Sequence, residues 1–412
     1  MSNGVECVSN TGAWGPADPE LQAQVRERQR ITIANYTNDP ALLEEHVGME
    51  DNFQAGGYGE RQVEELLQNA IDQLNEPGRV ELRLSDGTLY CANQGNPFDA
   101  EGIRAVTGAF LSAKRDEKIG RFGLGFKSVL GVTNHPQILS RSISFGFNES
   151  EAVGLLSDLP YSPGRVPSLR VPSIVDPHAV AAEDLNVAEM MSWATTIIRL
   201  PLNKGTAGLR GRLLNFDPRH LLFPENLAQV RITVGDGPDR LKSEFSRRSD
   251  PESGLVHLED ARYWRIQGSR PTRAADPERN TTTYRVLHHE HDVSDNVKDG
   301  LPGLFHRDRV RVSYALPTGP SRRDDGEFWA WFPLQDRTTA QGIFNAPWQV
   351  NDDRTAMLPG SALNRELLDI AATLLIEAAV LESTPEDPAK HFDVLPARGR
   401  ETRSPADAHV SA

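Results

Sequence analysis

Residues 60–74 read ERQVEELLQNAIDQL. The apolar residues Val63, Leu66, Leu67, Ala70, Ile71 and Leu74 recur at i, i+3, i+4, i+7, i+8 and i+11, which predicts one buried face of an α-helix. At about 100° per residue, Glu65, Asn69 and Asp72 fall within roughly 60° of one another on the other side. That face stacks a carboxylate, a carboxamide and a carboxylate. Such a set can hold a hydrated magnesium ion and activate a water; the other reading is a solvated acidic face. Asn75-Glu76-Pro77-Gly78 ends the helix with breakers.

Downstream lies IGRFGLGFKS, Ile119 to Ser128. Gly120, Gly123 and Gly125 let the backbone approach a phosphate closely. The apolar run Phe126, Val129, Leu130, Val132 predicts a helix beginning near Gly125, and the free N–H groups of a helix start bind anions. Lys127, just inside it, either touches phosphate or lies on the surface. No strand of a βαβ unit precedes the glycines, which argues against a dinucleotide fold. Between the two stretches, LYCANQGNPFD (Leu89 to Asp99) reads as a short strand ending in a polar Asn-x-Gly turn, which would set Asn93 at the edge of a base.

Together these stretches resemble the GHKL ATPase superfamily, which includes the gyrase B subunit, mismatch-repair and heat-shock-ninety ATPases, and histidine kinases. The helix is similar to the family's Glu-x-x-x-Asn-x-x-Asp box through Glu65, Asn69 and Asp72. Asn93-Gln94-Gly95 stands where the family usually has Asp-x-Gly-x-Gly. The run Gly120 to Phe126 resembles the second glycine box, and Thr195 in WATTIIRLPL resembles the family's late threonine on a strand. ELLQNA and GLGFKSV are most similar to sacsin-type ATP-binding modules. The resemblance covers roughly residues 30 to 205.

The resemblance implies an α+β chain with a two-layer α/β sandwich nucleotide domain over 26–205 and a transducer-like α+β domain over 206–383; composition adds a mobile polar segment 1–25 and a disordered tail 384–412 rich in Pro, Arg, Asp and Ala. It also implies roles. Glu65 would be the base that holds the attacking water; Asn69 would ligate magnesium through its amide oxygen; Asp72 would order the network behind them. Backbone N–H groups of Gly120, Gly123, Leu124, Gly125 and Phe126 would meet the phosphates. Residues 111–119 would be the lid, with Ser112 and Lys114 either reaching the phosphates or lying in a solvated loop. Asn93, with Gly95 in the same turn, would recognise adenine, and Thr195 would support a water near it. Two departures stand out. Asn93 replaces aspartate, so its amide can donate as well as accept, and Asn93→Asp should sharpen the choice of ATP over GTP. Pro97 replaces the box's second glycine, which would narrow the base pocket. Arg354, in VNDDRTAML, resembles the heat-shock-ninety arginine that reaches the γ-phosphate; the alternative is a local pair with Asp352 or Asp353.

The expected function is that of a magnesium-dependent ATPase: a switch that forms an ATP-dependent homodimer and works with an effector protein. Sacsin-like modules occur in chaperone-like proteins and in prokaryotic proteins of phage defence. The alternatives are a nucleotide sensor with negligible turnover and a histidine-kinase-type phosphotransferase. Kinases of the superfamily lack a carboxylate at the position of Glu65 and lack the second domain.

At 412 residues, two domains are the natural expectation. The net charge of −14 argues against nonspecific nucleic-acid binding as the main activity, though a local basic patch is compatible with it. Cys7 and Cys91 read as free thiols in a reducing compartment. No apolar run approaches the length of a membrane span, and the N-terminus lacks a signal peptide, so a cytoplasmic location is expected. Helices are expected over 19–30, 40–47, 100–110 (capped by Asp99) and 363–381 (Ser361 as a possible cap). RVELRL and TLYCAN predict a hairpin about Ser85-Asp86-Gly87. Strands are expected over 137–147, 195–202, LAQVRITV, TTYRVL, RVRVSYAL and EFWAWFPL. HHEH, 288–291, reads as a surface turn in preference to a metal site.

Overall fold

The computed structural model describes residues 14–55, 62–108, 126–157, 159, 166–203, 205–267, 270–301, 307–319, 325–351, 354–395 and 402–410. Asp18 starts α1 (Pro19–Asn38) by accepting from the N–H groups of Glu20 and Leu21, with proline in the first turn. The helix runs past Arg30 because Tyr36 is wholly buried in a small core with Leu43 of α2 (Pro40–Ala55). The segment expected to be mobile to residue 25 is therefore helical from Pro19, with Val25 in the core. α3 (Gln62–Ile71) buries Val63, Leu66, Leu67, Ala70 and Ile71, the stripe read from the sequence.

β1 (Gly78–Ser85) and β2 (Thr88–Asn93) form the expected hairpin. Asp86 (φ 50°) and Gly87 (φ 67°) are both left-handed, as a type I′ turn requires. α4 (Ala100–Thr107) is capped by Asp99, whose carboxylate accepts from Gly102 N–H. Residues Phe126–Gly131 form a 3-10 turn in place of the expected α-helix. The strand expected over 137–147 is two, β3 (Gln137–Ser140) and β4 (Phe145–Phe147), folded back with Ser144 Oγ donating to the Ser140 carbonyl. α5 (Glu149–Leu155), β5 (Pro172–Ile174), α6 (Pro177–Glu183) and α7 (Leu185–Met191) lead to β6 (Thr196–Pro201).

Then come α8 (Ala207–Leu214), β7 (Leu227–Val234), β8 (Leu241–Asp250), β9 (Leu255–Gln267), β10 (Arg270–Asp292), α9 (Asp295–Asp299), β11 (Arg309–Pro317), β12 (Gly326–Ala330), β13 (Phe332–Thr338), β14 (Ile343–Asn345), α10 (Ala362–Glu382) and α11 (Pro405–Val410). EFWAWFPL is broken into β12 and β13 at Trp331, which sits at φ 67°. HHEH is not a turn: it lies in β10, with His288 opposite Ser313 and His291 opposite Val310 of β11. Within the segment expected to be a disordered tail, the described residues include α11. α11 packs against α10 and β13, and the fully buried Asp407 accepts from Thr338 Oγ1 at 2.8 Å and Thr339 N–H at 2.9 Å.

The chain is a mixed α/β protein with one large mixed sheet. Among the described residues its fourteen strands run β13-β12-β14-β11-β10-β9-β8-β7-β1-β2-β6-β3-β4-β5. β7 lies parallel to β1, from Gly78 opposite Leu227 to Leu84 opposite Val234. The line drawn at residues 205/206 therefore crosses a continuous sheet. One core cluster spans it, from α3 through β1 and β7 to Trp329 and Phe332. A second lies between α10 and strands β11, β12 and β14. Cys91 is a buried free thiol. Among the described residues, no helix is long and apolar enough to cross a membrane.

Candidate functional site

Because α3 turns its apolar stripe to the sheet, its remaining residues face an adjoining surface. Glu65 is buried, 3% exposed, while Asn69 and Asp72 are half-buried. Glu65 Oε1 accepts from Arg354 Nη1 at 2.7 Å, across 289 residues of sequence. The arginine arrives on a loop closed by the Val350–Met357 bridge. Asn351 organises that loop: its Oδ1 accepts from Thr355 N–H at 2.8 Å and Ala356 N–H at 3.0 Å, and its carbonyl accepts from Arg354 N–H. Arg354 itself is left-handed, φ 55°. One partner of Arg354 is thus distant; Asp352 and Asp353, the local partners also expected, lie outside the described residues.

β2 delivers Asn93 beneath the end of α3. Its Nδ2 donates to the Ala70 carbonyl at 3.0 Å, one residue from Asn69. A carbonyl can only accept, so the nitrogen must be the end that faces it, and Oδ1 is left as the acceptor. The Asn93 carbonyl accepts from Thr195 N–H at 2.8 Å, which seats Thr195 beside it, one residue before β6. Gly95 passes the turn after α3 so closely that a Cβ would lie 2.4 Å from the Gln73 carbonyl oxygen. Asn96 N–H donates to that same oxygen at 2.8 Å. These contacts lock the loop after β2 to the helix carrying Glu65 and Asn69 and to the turn carrying Asp72.

Phe126 is half-buried between two hydrophobic clusters. Lys127 is buried, 5% exposed, so it does not lie on the surface. Burial and the nearby Arg170 push its pKa down to about 8, against the opposing pull of Glu50. Glu50 accepts from Leu169 N–H at 3.0 Å, and Arg170 donates to the Thr107 carbonyl at 3.2 Å. His46, in contact with Tyr36 Oη at 2.8 Å, is lowered to about 4 by burial and by Arg170 and Lys127. Sequence reasoning missed Tyr36, His46, Glu50 and Arg170, because no local pattern links helix residues to a 3-10 turn far along the chain. Ser112, Lys114, Gly120, Gly123, Leu124 and Gly125 lie outside the described residues.

Among the described residues, no group of three or more His, Cys, Asp or Glu side chains is arranged to hold a metal. A magnesium site built from one amide oxygen, phosphates and water is of a different kind, and the half-buried Asn69 carries the right donor for it. No family model and no curated protein matches this chain.

Proposed function

We propose that the chain binds ATP with magnesium beside α3, β2 and the Phe126–Gly131 turn, and hydrolyses it as a GHKL-type switch. The observation that carries this reading is the Arg354–Glu65 pair. Two charges are removed from water and the arginine backbone is left-handed, an arrangement that costs stability more readily than it adds any. Its position fits a site where a carboxylate must be held ready and an arginine must answer to a phosphate. The nucleotide unit would be the two-layer sandwich of β1, β2, β6, β3, β4 and β5 with α1 to α4. The elements from β8 onward would be the transducer that carries Arg354.

In this reading Glu65 orients the attacking water and takes its proton, while Arg354 fixes the carboxylate and offsets the cost of burying it. The guanidinium fork also suits phosphate oxygens, so substrate would compete with Glu65 for Arg354 and couple the transducer to occupancy of the site. Magnesium, held by Asn69, would neutralise phosphate charge. Asp72 supports Asn69 from the next turn. Asn93 Oδ1, freed as an acceptor by the bond to Ala70, suits the amino group of adenine.

Glu65→Ala is expected to abolish hydrolysis and leave ATP binding nearly intact, measured by phosphate release and by calorimetry. Wild-type turnover in that variant would remove Glu65 as the base. Tight ATP binding with negligible turnover in the wild type would favour the sensor. A non-hydrolysable ATP analogue is expected to promote a compact homodimer in the ultracentrifuge, the form that would present itself to an effector protein. A monomer in every nucleotide state would exclude the dimerising switch.

A further inference from the structure

We propose that a second site, a cleft between the β7–β8 turn and the β9–β10 ribbon, binds a nucleotide unit, either free or within a single strand. The cleft measures about 490 Å³, within the range of about 300–1,000 Å³ typical of small-molecule sites. Its origin is a break in strand pairing. Trp264 pairs with Arg273, and Arg262 pairs with Glu278. Between those pairs β9 has one residue, Tyr263, and β10 has four, 274 to 277. The surplus bulges out of the ladder and opens space over Tyr263. Arg273 Nη1 donates to the Pro238 carbonyl at 3.0 Å, which ties the ribbon to the β7–β8 turn and closes the far side.

The lining is cationic on a chain of net charge −14. Lys242 and Arg273 form no ion pair among the described residues, and both line the cleft. Arg240 is engaged by Glu189 at 3.4 Å and by Asn186 Oδ1 at 3.1 Å, which leaves Lys242 and Arg273 as the available cations. The lining carboxylate Glu244 is engaged by Arg231 at 3.0 Å. Ser243 lies opposite Arg262, so the antiparallel register puts Lys242 beside Tyr263 on one face. The Tyr263 hydroxyl makes no hydrogen bond among the described residues, and its ring is half-buried. An aromatic face flanked by uncompensated cations is the chemistry that stacks a base and holds its phosphate. The site shares no residue with the one at Glu65.

The test uses the full chain with two probes: thymidine monophosphate by calorimetry and a labelled thymidine dodecamer by fluorescence anisotropy. Neither carries adenine. Binding of the dodecamer is expected to weaken with salt, with a log–log slope of about −0.7 per phosphate engaged. Lys242→Ala with Arg273→Ala should lower affinity at least tenfold and flatten that slope. Tyr263→Ala should cost about tenfold, and Tyr263→Phe should restore binding because stacking needs only the ring. Unchanged thermal unfolding of the variants would show that they fold. Binding of the monophosphate identifies a free nucleotide as the ligand; binding of the dodecamer alone identifies a strand. Failure of both probes at 50 mM salt on the order of the lowest used for such slopes, or binding that the Ala variants leave unchanged, would overturn the site.

Discussion

Arg354 combines a left-handed backbone with a side chain only 15% exposed. A non-glycine residue in that region costs about 1–2 kcal/mol, and Asn351 offsets this by accepting from three backbone N–H groups of the loop, those of Arg354, Thr355 and Ala356. Removing the guanidinium strips a buried carboxylate of a partner. Arg354→Ala is expected to lower stability by about 3 kcal/mol and turnover roughly 100-fold or more, with ADP affinity unchanged. Lost stability with unaltered turnover per folded molecule would leave a purely structural pair. The motif at 354 was legible, but its partner was not, because nothing local ties it to residue 65. Asn93 shows the reverse. The sequence left its amide ambiguous, and the Ala70 carbonyl orients it. That contact changes the outcome expected for Asn93→Asp. Instead of simply sharpening selectivity, the exchange sets a carboxylate oxygen against a carbonyl, and should cost about 1–3 kcal/mol in chemical denaturation. Full stability with a sharper preference for ATP over GTP would restore the family pattern. Gly95, expected in the base-recognising turn, is needed for the close approach to Gln73.

At the scale of elements, what was legible is what local chemistry decides. The α3 stripe, the two left-handed residues of the β1–β2 turn, Asp99 before α4 and Ser361 before α10 each act within a few residues of themselves. What escaped depends on distant partners. HHEH belongs to a strand because β11 and α10 lie beside it, where His291 meets Glu366. The tail folds because Asp407 finds donors at Thr338 and Thr339. The contact of α2 with the Phe126–Gly131 turn has a consequence for pH. His46 in the folded chain takes a proton only near pH 4, against an ordinary value of 6.5. Between those values the unfolded chain binds the proton first, so stability falls as pH drops from 6.5 towards 4. Lys127 acts in the same direction higher up: the unfolded chain protonates from about 10.5 and the folded one from about 8, so stability is lower at pH 8 than at 10.5. Urea denaturation across pH 4 to 6.5 should show the first slope, and His46→Gln should flatten it. An equal slope in the variant would assign the acid sensitivity to other groups.

The whole molecule is governed by the parallel pairing of β1 with β7. The family resemblance ends near residue 205, yet Leu227, Val230 and Ile232 of β7 fill the same core as Leu66, Leu67 and Ile71 of α3. Cutting the chain at 205 would remove those side chains and expose the edge of β1 from Gly78 to Leu84, a row of backbone donors and acceptors that β7 otherwise satisfies. β1 is buried along nearly its whole length, so the cut would open apolar surface along with the edge. A fragment ending at residue 205 is therefore expected to aggregate or to unfold without a cooperative transition. A fragment ending at residue 250 keeps β7 and the β8 strand that covers it from Gln229 opposite Ser246 to Val234 opposite Leu241, and should unfold cooperatively and remain soluble. Both lack Arg354, so under the proposed function neither should hydrolyse ATP at the full rate, but the longer one should still bind nucleotide if the proposed site depends on α3 and β2 alone. The measurement is thermal unfolding by circular dichroism, alongside size-exclusion chromatography. A stable, monomeric fragment at 205 would show that the first six strands fold without β7 and that the sheet joins two independent units; loss of the fold at 205 with recovery at 250 would make β7 part of the same folding unit as α3 and β1, with the Arg354 loop attached to it through one uninterrupted sheet.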